Sequence, residues 1–403
     1  MKRTRAILGS TIVLYFVIGF EILIMISPFA GFFYAIFNPF LLKIAGHPAT
    51  RWLSSFFLPH MVIPPDGALV FVRIMGSVLL VCGVGLFFFC AAHIYTSKFL
   101  KKGPVTGGLY RFIRHPQYLA LAAAGSGLAI LWPRFLVVLL WCLMVLVYYL
   151  LAHDEERRML AAHQATYRPY MEQTGMFLPR ALEDRLLPRS NAGRAVAFML
   201  MAAFVIGGAF GFRAYTVRHL TLWSKGNLTA VAILPEDGFK MDHRMADILN
   251  LDGIASRLDP DSRYLAFVMP RNYVMQGLVA DTGGAWRLYK HHHTISMITD
   301  WIFHPFRHLR QGHQMERNGH GHHNGTMSGP IRDASPDATG VTRRIVFLVI
   351  EDVPVRTPYD AFSIGARRVP RFMADVEFHN LELLSARDLP ERTGWGRVPT
   401  PVF

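Results

Sequence analysis

A histidine flanked by basic residues stands directly before one of the apolar segments of the chain, in the run GLYRFIRHPQY at residues 108–118. Pro116 suits the first turn of a helix, where its missing N–H costs nothing. The free N–H groups of such a turn and the helix dipole favour an anion. Arg114 adds a planar cationic fork that matches a carboxylate, and His115 exchanges a proton near neutral pH. The motif therefore predicts a site that binds an anionic group.

A pair of carboxylates follows further along the chain. Glu155 and Glu156 stand in the run HDEERR at residues 153–158, and adjacent carboxylates at a membrane interface suit an ammonium, a sulfonium or ribose hydroxyls. Aromatic faces attract cations, and tyrosines accompany both motifs: Tyr110, Tyr118, Tyr167 and Tyr170. S-adenosylmethionine carries a carboxylate, an ammonium, a sulfonium and a ribose, so it would use all of these groups.

Each motif taken alone has a simpler explanation. Basic loops beside an apolar span usually set its orientation. A Glu-Glu-Arg-Arg run is usually a solvated helix end with Arg–Glu pairs at helical spacing. The joint order of the motifs favours a binding site, because the apolar segments between them, at 116–131 and 135–151, predict a hairpin that returns both motifs to one side of a membrane.

This stretch resembles the isoprenylcysteine carboxyl methyltransferase and phospholipid methyltransferase group, which are integral-membrane enzymes that use S-adenosylmethionine. The resemblance covers about residues 68–180. It is carried by Arg-His-Pro-x-Tyr, a helical hairpin, Glu-Glu-Arg, Tyr-x-x-Tyr and Leu-Pro. One departure is Ala120, where the family often has a glycine, and this bears on close helix approach.

The resemblance implies site residues, each at a position that matches the family pattern. It implies catalytic roles for Arg114, His115 and Glu156, with Arg114 as the anchor of an anionic group on cofactor or substrate. It implies cofactor contacts for His115, Pro116, Tyr118, Glu155, Glu156 and Tyr167, and the aromatic face of Tyr110 is a further candidate for cofactor binding.

The composition indicates a membrane protein. Of the 403 residues 52% are hydrophobic and 17% are charged, and nearly all long apolar runs lie before residue 212. A net charge of +14 would suggest nucleic acid in a soluble protein. Here the basic residues flank apolar segments and no nucleic-acid motif accompanies them, so membrane topology and anionic lipid explain the charge and no nucleic-acid partner is expected.

The apolar segments predict an all-α transmembrane bundle of about five spans. The spans are predicted at residues 6–28, 68–95, 116–131, 135–151 and 195–212, with an interfacial or re-entrant segment at 30–45. Lys and Arg are concentrated in the N-terminal tail, the 97–114 loop and the 153–194 stretch, and five spans place all three on one side. The positive-inside rule then predicts a multi-pass protein of a bacterial inner membrane, with a cytoplasmic N-terminus and a periplasmic C-terminal domain.

The predicted domains follow from these segments. They are an N-terminal span and interfacial segment at 1–67, a methyltransferase-like membrane core at 68–194, a last span at 195–212 and a soluble α+β domain at 213–403. In the soluble domain, short apolar or alternating runs predict strands at 228–234, 264–269, 273–279, 344–350 and 372–378, and 241–255 suits a helix.

Half of the 18 histidines fall in a loop at residues 291–323. Imidazole binds divalent zinc, copper or nickel, and the candidate ligands are His291, His293, His320, His322 and His323. Their spacing fits no closed zinc site, so a solvated polar loop remains an alternative to a metal site.

The sequence thus favours a membrane methyltransferase that uses S-adenosylmethionine and acts on a lipophilic or small acceptor at the cytoplasmic face. A carboxylate or thiolate acceptor needs no base, whereas an amine or hydroxyl would need one, such as His115 or a glutamate. The main alternative is a non-catalytic anchor or a subunit of a larger membrane complex, with partners or metal bound by the outer domain. A reductase that uses a nicotinamide cofactor ranks last.

Overall fold

The computed structural model describes residues 43–59, 66–100, 104–188, 190–271 and 342–389. Within these ranges the chain divides into two compact units. Asp66–Thr216 forms a helical unit, and residues 43–59 group with those after Thr216 in a unit that contains a β-sheet. The predicted first span, most of the segment at 30–45, the predicted strand at 273–279 and the histidine-rich loop lie outside the described residues.

The helical unit contains five helices within its described part: α1 (Gly67–Phe99), α2 (Pro116–Leu131), α3 (Phe135–Gln173), α4 (Arg180–Leu186) and α5 (Asn191–Arg218). By length and composition, α1, α3 and α5 are suited to cross a membrane, while α2 is a shorter apolar helix. The described helices include three candidate spans, so apolar membrane helices are confirmed in this part, and the predicted count of five spans is not confirmed.

Helix α2 lies between α1 and α3. A Cβ atom on Gly83 of α1 would lie 2.5 Å from the amide nitrogen of Ala124, and one on Gly127 of α2 would lie 2.5 Å from the carbonyl oxygen of Gly76. The two backbones can approach this closely only because both positions lack a side chain. On the other side of α2, Trp141 of α3 donates a 2.8 Å hydrogen bond to the Ala122 carbonyl. These contacts hold the middle of α2 between α1 and α3, and the histidine motif leads directly into this helix.

Helix α5 contacts α3 at two places. The rings of Phe135 and Phe210 are 4.4 Å apart at one end of the pair. At the other end Arg194 Nη1 donates to the hydroxyl of Tyr149 at 3.2 Å, and the same hydroxyl lies 2.9 Å from Nε2 of His153. Aromatic packing and a polar cluster therefore hold the two helices together.

The second unit carries a six-stranded sheet in the order β1-β2-β3-β4-β5-β6. The strands are β1 (Leu222–Lys225), β2 (Leu228–Ala232), β3 (Tyr264–Pro270), β4 (Thr342–Glu351), β5 (Arg367–Glu377) and β6 (Glu382–Asp388). Neighbours are antiparallel except β2 and β3. That parallel pair is joined across α6 (Pro235–Ile248) and α7 (Asp252–Ala255), as parallel pairing requires a crossover.

Helices α6 and α7 cover one face of the sheet. Met241, Met245, Ile248 and Ile254 are fully buried against strand residues of that face. Two buried ion pairs add to the apolar core, Arg343 with Asp237 and Arg344 with Asp375, each at 2.7 Å. The predicted α+β architecture is therefore present in the described residues of this unit.

Candidate functional site

The histidine motif is held by the turn that follows α3. Gly108 has a φ of +62°, a left-handed conformation that glycine adopts freely, and it opens a short 3-10 helix at Gly108–Arg111. Beyond it the backbone pairs with the turn after α3: Arg114 N–H donates to the Gly175 carbonyl at 2.9 Å and His115 N–H to the Met176 carbonyl at 3.1 Å. Two segments far apart in sequence thus form one wall.

Arg114 lies at the centre of this wall. Its Nε donates to Glu156 Oε1 at 2.5 Å, and its Nη1 donates to the carbonyls of Met171, at 3.1 Å, and Thr174. Both side chains of the Arg114–Glu156 pair are 5% exposed. The guanidinium therefore orients a buried carboxylate and clamps the end of α3 at the same time.

His115 lies between the two glutamates. Its Nε2 is 3.3 Å from Glu156 Oε1, and its Nδ1 is 3.5 Å from Glu155 Oε2. Nδ1 is buried and has no hydrogen-bond partner among the described residues. Burial alone would lower the pKa of His115, but the two glutamates outweigh it and raise this pKa above its ordinary value. The imidazolium form is therefore favoured beside the carboxylates.

Tyr118 is the partner of the other glutamate. Its hydroxyl donates to Glu155 Oε1 at 2.5 Å, and its ring stacks on His115 at 5.7 Å and on Tyr148 at 5.3 Å. The stack presents flat aromatic surface beside two carboxylates, which is an environment that favours a cation.

Tyr110 supports the site from the side of α1. Its hydroxyl donates to Gln117 Oε1 at 3.2 Å, and its ring meets His93 edge-on at 5.9 Å. Burial raises the pKa of Tyr110, so its hydroxyl remains protonated as a donor. The carbonyl of Tyr110 accepts a 2.6 Å bond from the Tyr170 hydroxyl, which ties the 3-10 helix to the end of α3.

The turn after α3 is itself fixed from α4. Glu183 Oε2 accepts hydrogen bonds from the backbone N–H groups of Met176 and Phe177. Gly175 has no room for a side chain, because a Cβ atom there would collide with the Leu178 carbonyl oxygen. The ring of Phe177 lies 6.1 Å from that of His115, so this turn forms one edge of the site.

The structure brings together most of the residues that the sequence singled out: Arg114, His115, Pro116, Tyr118, Glu155 and Glu156. Tyr110 lies behind them, and Tyr167 is buried with its ring 5.5 Å from that of Tyr170. Sequence reasoning missed Tyr148, although it lies seven residues, two helical turns, before Glu155 and so shares its helix face. It also missed the backbone carbonyls after α3 and Glu183, for which the sequence gives no signal.

The predicted metal ligands in the histidine-rich loop lie outside the described residues. Within the described ranges, no three His, Cys, Asp or Glu side chains are grouped in a way that would hold a metal ion.

The environment of His115 predicts a pH dependence of stability. The pKa of His115 is raised in the folded state, so protonated His115 stabilises the fold. This stabilisation is fully present below the unfolded pKa of about 6.5 and is lost as pH rises through the folded pKa. We expect His115→Asn to be most destabilising below about pH 6. Melting temperatures of the wild type and His115→Asn, measured from pH 5 to 9, check this. A difference between the two melting temperatures that grows as pH rises would contradict it.

A comparison with known protein families finds a match in the helical unit that carries this site. Residues 71–166 match the phospholipid methyltransferase family, which confirms the resemblance seen over about residues 68–180. No curated protein and no solved structure matches the chain. The family match and the apolar helices support a membrane protein of methyltransferase type, in contact with the lipid bilayer.

Proposed function

We propose that the protein is an integral-membrane methyltransferase that uses S-adenosylmethionine and acts on a lipophilic or small acceptor at the cytoplasmic membrane face. One observation carries the proposal. The Arg114–His115 motif and the Glu155–Glu156 motif, separated by a helical hairpin, meet within 2.5 to 3.5 Å of each other. Packing of the bundle alone does not require this combination of charges.

The residues present fit this cofactor. Arg114 is engaged by Glu156 and by carbonyls at the end of α3, which leaves Glu155, whose side chain is 37% exposed, as the accessible carboxylate. Glu155 with the stacked rings of Tyr118 and His115 suits a ligand that carries positive charge. Nδ1 of His115 faces Glu155 at 3.5 Å without meeting the geometry of a hydrogen bond, so it offers a further polar contact beside this carboxylate.

The roles of the side chains follow from these contacts. Glu155 and Glu156 would hold the positively charged part of the cofactor, with Pro116 and Tyr118 forming the wall beside it. Tyr110 and Tyr167 would line the side of the cofactor opposite Pro116 and Tyr118. We propose that Arg114 acts mainly by positioning Glu156.

When bound, S-adenosylmethionine would supply an electrophilic methyl group, and the protein would align it with an acceptor and exclude water. Nε2 of His115 faces Glu156 and Nδ1 faces Glu155, so both ring nitrogens lie against carboxylates and neither is placed to take a proton from an acceptor. An acceptor that is already nucleophilic, such as a carboxylate or a thiolate, therefore fits the site better than a hydroxyl.

Transfer of a labelled methyl group tests the proposal. Purified protein in vesicles made from a bacterial total lipid extract is incubated with S-adenosylmethionine labelled at the methyl group, and label is counted in the organic and aqueous products. We expect transfer by the wild type and a reduction of roughly 10- to 100-fold in Tyr118→Phe, because a hydrogen bond to a charged group contributes about 1.5–3 kcal/mol.

The control for this assay is Tyr215→Phe. The Tyr215 hydroxyl donates a 3.0 Å hydrogen bond to Asp66. Asp66 directly precedes α1 and lies away from the described site. Its rate of transfer is expected to equal that of the wild type. Absence of a labelled product from folded wild-type protein would contradict the proposed activity for acceptors in that extract.

A further inference from the structure

Two of the groups that would hold the cofactor are enclosed, although Glu155 is partly exposed. His115 is 3% exposed and Glu156 is 4% exposed. If the proposed function is correct, a cofactor that contacts them must enter after some part of the protein has moved. The segment after residue 163 is the structural candidate, because its backbone pairs with Arg114 and His115.

Helix α3 is interrupted where this segment begins. His163 has φ −138° and ψ 44°, which are not helical values. Pro169 follows within the next part of the helix, and a proline removes one helical hydrogen bond and crowds the preceding turn. Breaks of this kind are where helices bend, so residues 164–176 form an arm distinct from the membrane-spanning part of α3.

A small number of polar contacts hold the arm on the site. The Tyr170 hydroxyl bonds the Tyr110 carbonyl at 2.6 Å, and Arg114 bonds the Met171 and Thr174 carbonyls. The backbone bonds of Arg114 and His115 to Gly175 and Met176 hold the end of the arm, which Glu183 of α4 also binds through the Met176 N–H. Apart from that bond to Glu183, these contacts lie between the arm and the loop that carries the histidine motif.

Of the apolar side chains of the arm, Tyr167 and Met176 are buried, while Tyr170 and Met171 are half-buried. Residues 164–166, 168 and 169 are exposed, and Tyr167 is the first buried position after the break. Segments with few buried apolar contacts open at a lower free-energy cost than the core of a protein. The arm is therefore attached strongly enough to be ordered and weakly enough to open.

We propose that residues 164–176 are a cover for the cofactor site, which opens at His163 and is held closed by Tyr170 as a positioning residue. The cover releases and admits the cofactor, and its closure brings the Met171 and Thr174 carbonyls onto Arg114, which in turn orients Glu156. The proposal rests on the proposed function for its ligand, while the opening of the arm is a property of the protein alone.

Hydrogen exchange of the full chain in detergent tests the opening without a ligand. Tyr170→Phe removes one hydroxyl contact of the arm. Tyr149→Phe, on the same helix before the break, removes the contacts to Arg194 and His153 and is the matched control. We expect the 164–176 amides to exchange faster than those of 139–150 in the wild type, and roughly 3- to 10-fold faster again in Tyr170→Phe. The control should leave the arm unchanged.

Addition of S-adenosylmethionine extends the same test. We expect it to slow exchange in the arm of the wild type, and to dissociate roughly 3- to 10-fold faster from Tyr170→Phe than from Tyr149→Phe. Equal exchange of residues 164–176 and 139–150 without ligand, or equal effects of the two variants, would overturn the proposal that the arm is a cover. If the arm behaves as expected but the cofactor does not bind, the proposed function fails and the opening of the arm stands.

Discussion

Glu156→Gln is expected to lower the affinity for S-adenosylmethionine by at least ~30-fold, since loss of one partner of a buried charged contact costs about 2–5 kcal/mol. The substitution keeps the size of the side chain and an oxygen that accepts from Arg114, whose Nε lies 2.5 Å from the carboxylate. It removes the negative charge between Arg114 and His115. Calorimetric titration of detergent-purified protein measures the effect.

Glu172→Gln is the matched control for this variant. Glu172 lies on the same helix, but its side chain is 72% exposed and pairs loosely with Arg168 at 3.8 Å. Exposed pairs of this kind contribute little, so the affinity of this variant is expected to remain within about twofold of the wild type. Equal affinities of Glu156→Gln and Glu172→Gln would show that Glu156 does not hold the cofactor.

Arg114→Ala is expected to be the most destabilising single substitution in the site. It leaves the Glu156 carboxylate buried without its cation, and breaking a buried pair in this way costs about 3–5 kcal/mol. It also removes the bonds to the Met171 and Thr174 carbonyls. We expect a fall of about 10 °C in the melting temperature. Arg114→Lys should recover only part of it, because an ammonium lacks the planar fork.

Arg157→Ala provides the comparison for Arg114. Arg157 pairs with Asp154 at the same 2.5 Å, but its side chain is 73% exposed, so its loss should change the melting temperature by no more than about 2 °C. The double variant Arg114→Ala with Glu156→Gln should be more stable than the sum of its parts predicts, because no uncompensated charge remains. Additive effects would contradict the proposed coupling.

The motifs of the site could be located from the sequence because each is a short run of neighbouring residues. A proline after His115 marks a helix start, and α2 begins at Pro116 with the predicted bounds. The distances between Arg114, His115 and the two glutamates depend on how α1, α2 and α3 pack, and hydropathy does not determine such geometry. The contacts of Arg114 could not be predicted for this reason: it is expected from the sequence to anchor an external anion, and in the structure its neighbours are Glu156 and backbone carbonyls of its own chain.

Helix α3 shows the limit of hydropathy most clearly. The apolar pattern ends at about Leu151, but the helix continues to Gln173 across a polar stretch, because charged residues such as Glu and Arg have good helix propensity. The break at His163 carries no Gly or Pro of its own and could not be predicted from the neighbouring residues.

In the sheet, β2 to β5 were predicted from apolar runs. Strands β1 and β6 were missed because they are short or mostly exposed, without a clear alternation.

Binding of S-adenosylmethionine to the folded wild-type protein tests the central claim most directly. A calorimetric titration in detergent, with Glu156→Gln titrated beside it, is expected to show one site with micromolar affinity, roughly −8 kcal/mol, and little or no binding by the variant. A wild-type protein that unfolds cooperatively on heating but takes up no cofactor would contradict the claim, and the helical unit would then be an anchor for the second unit.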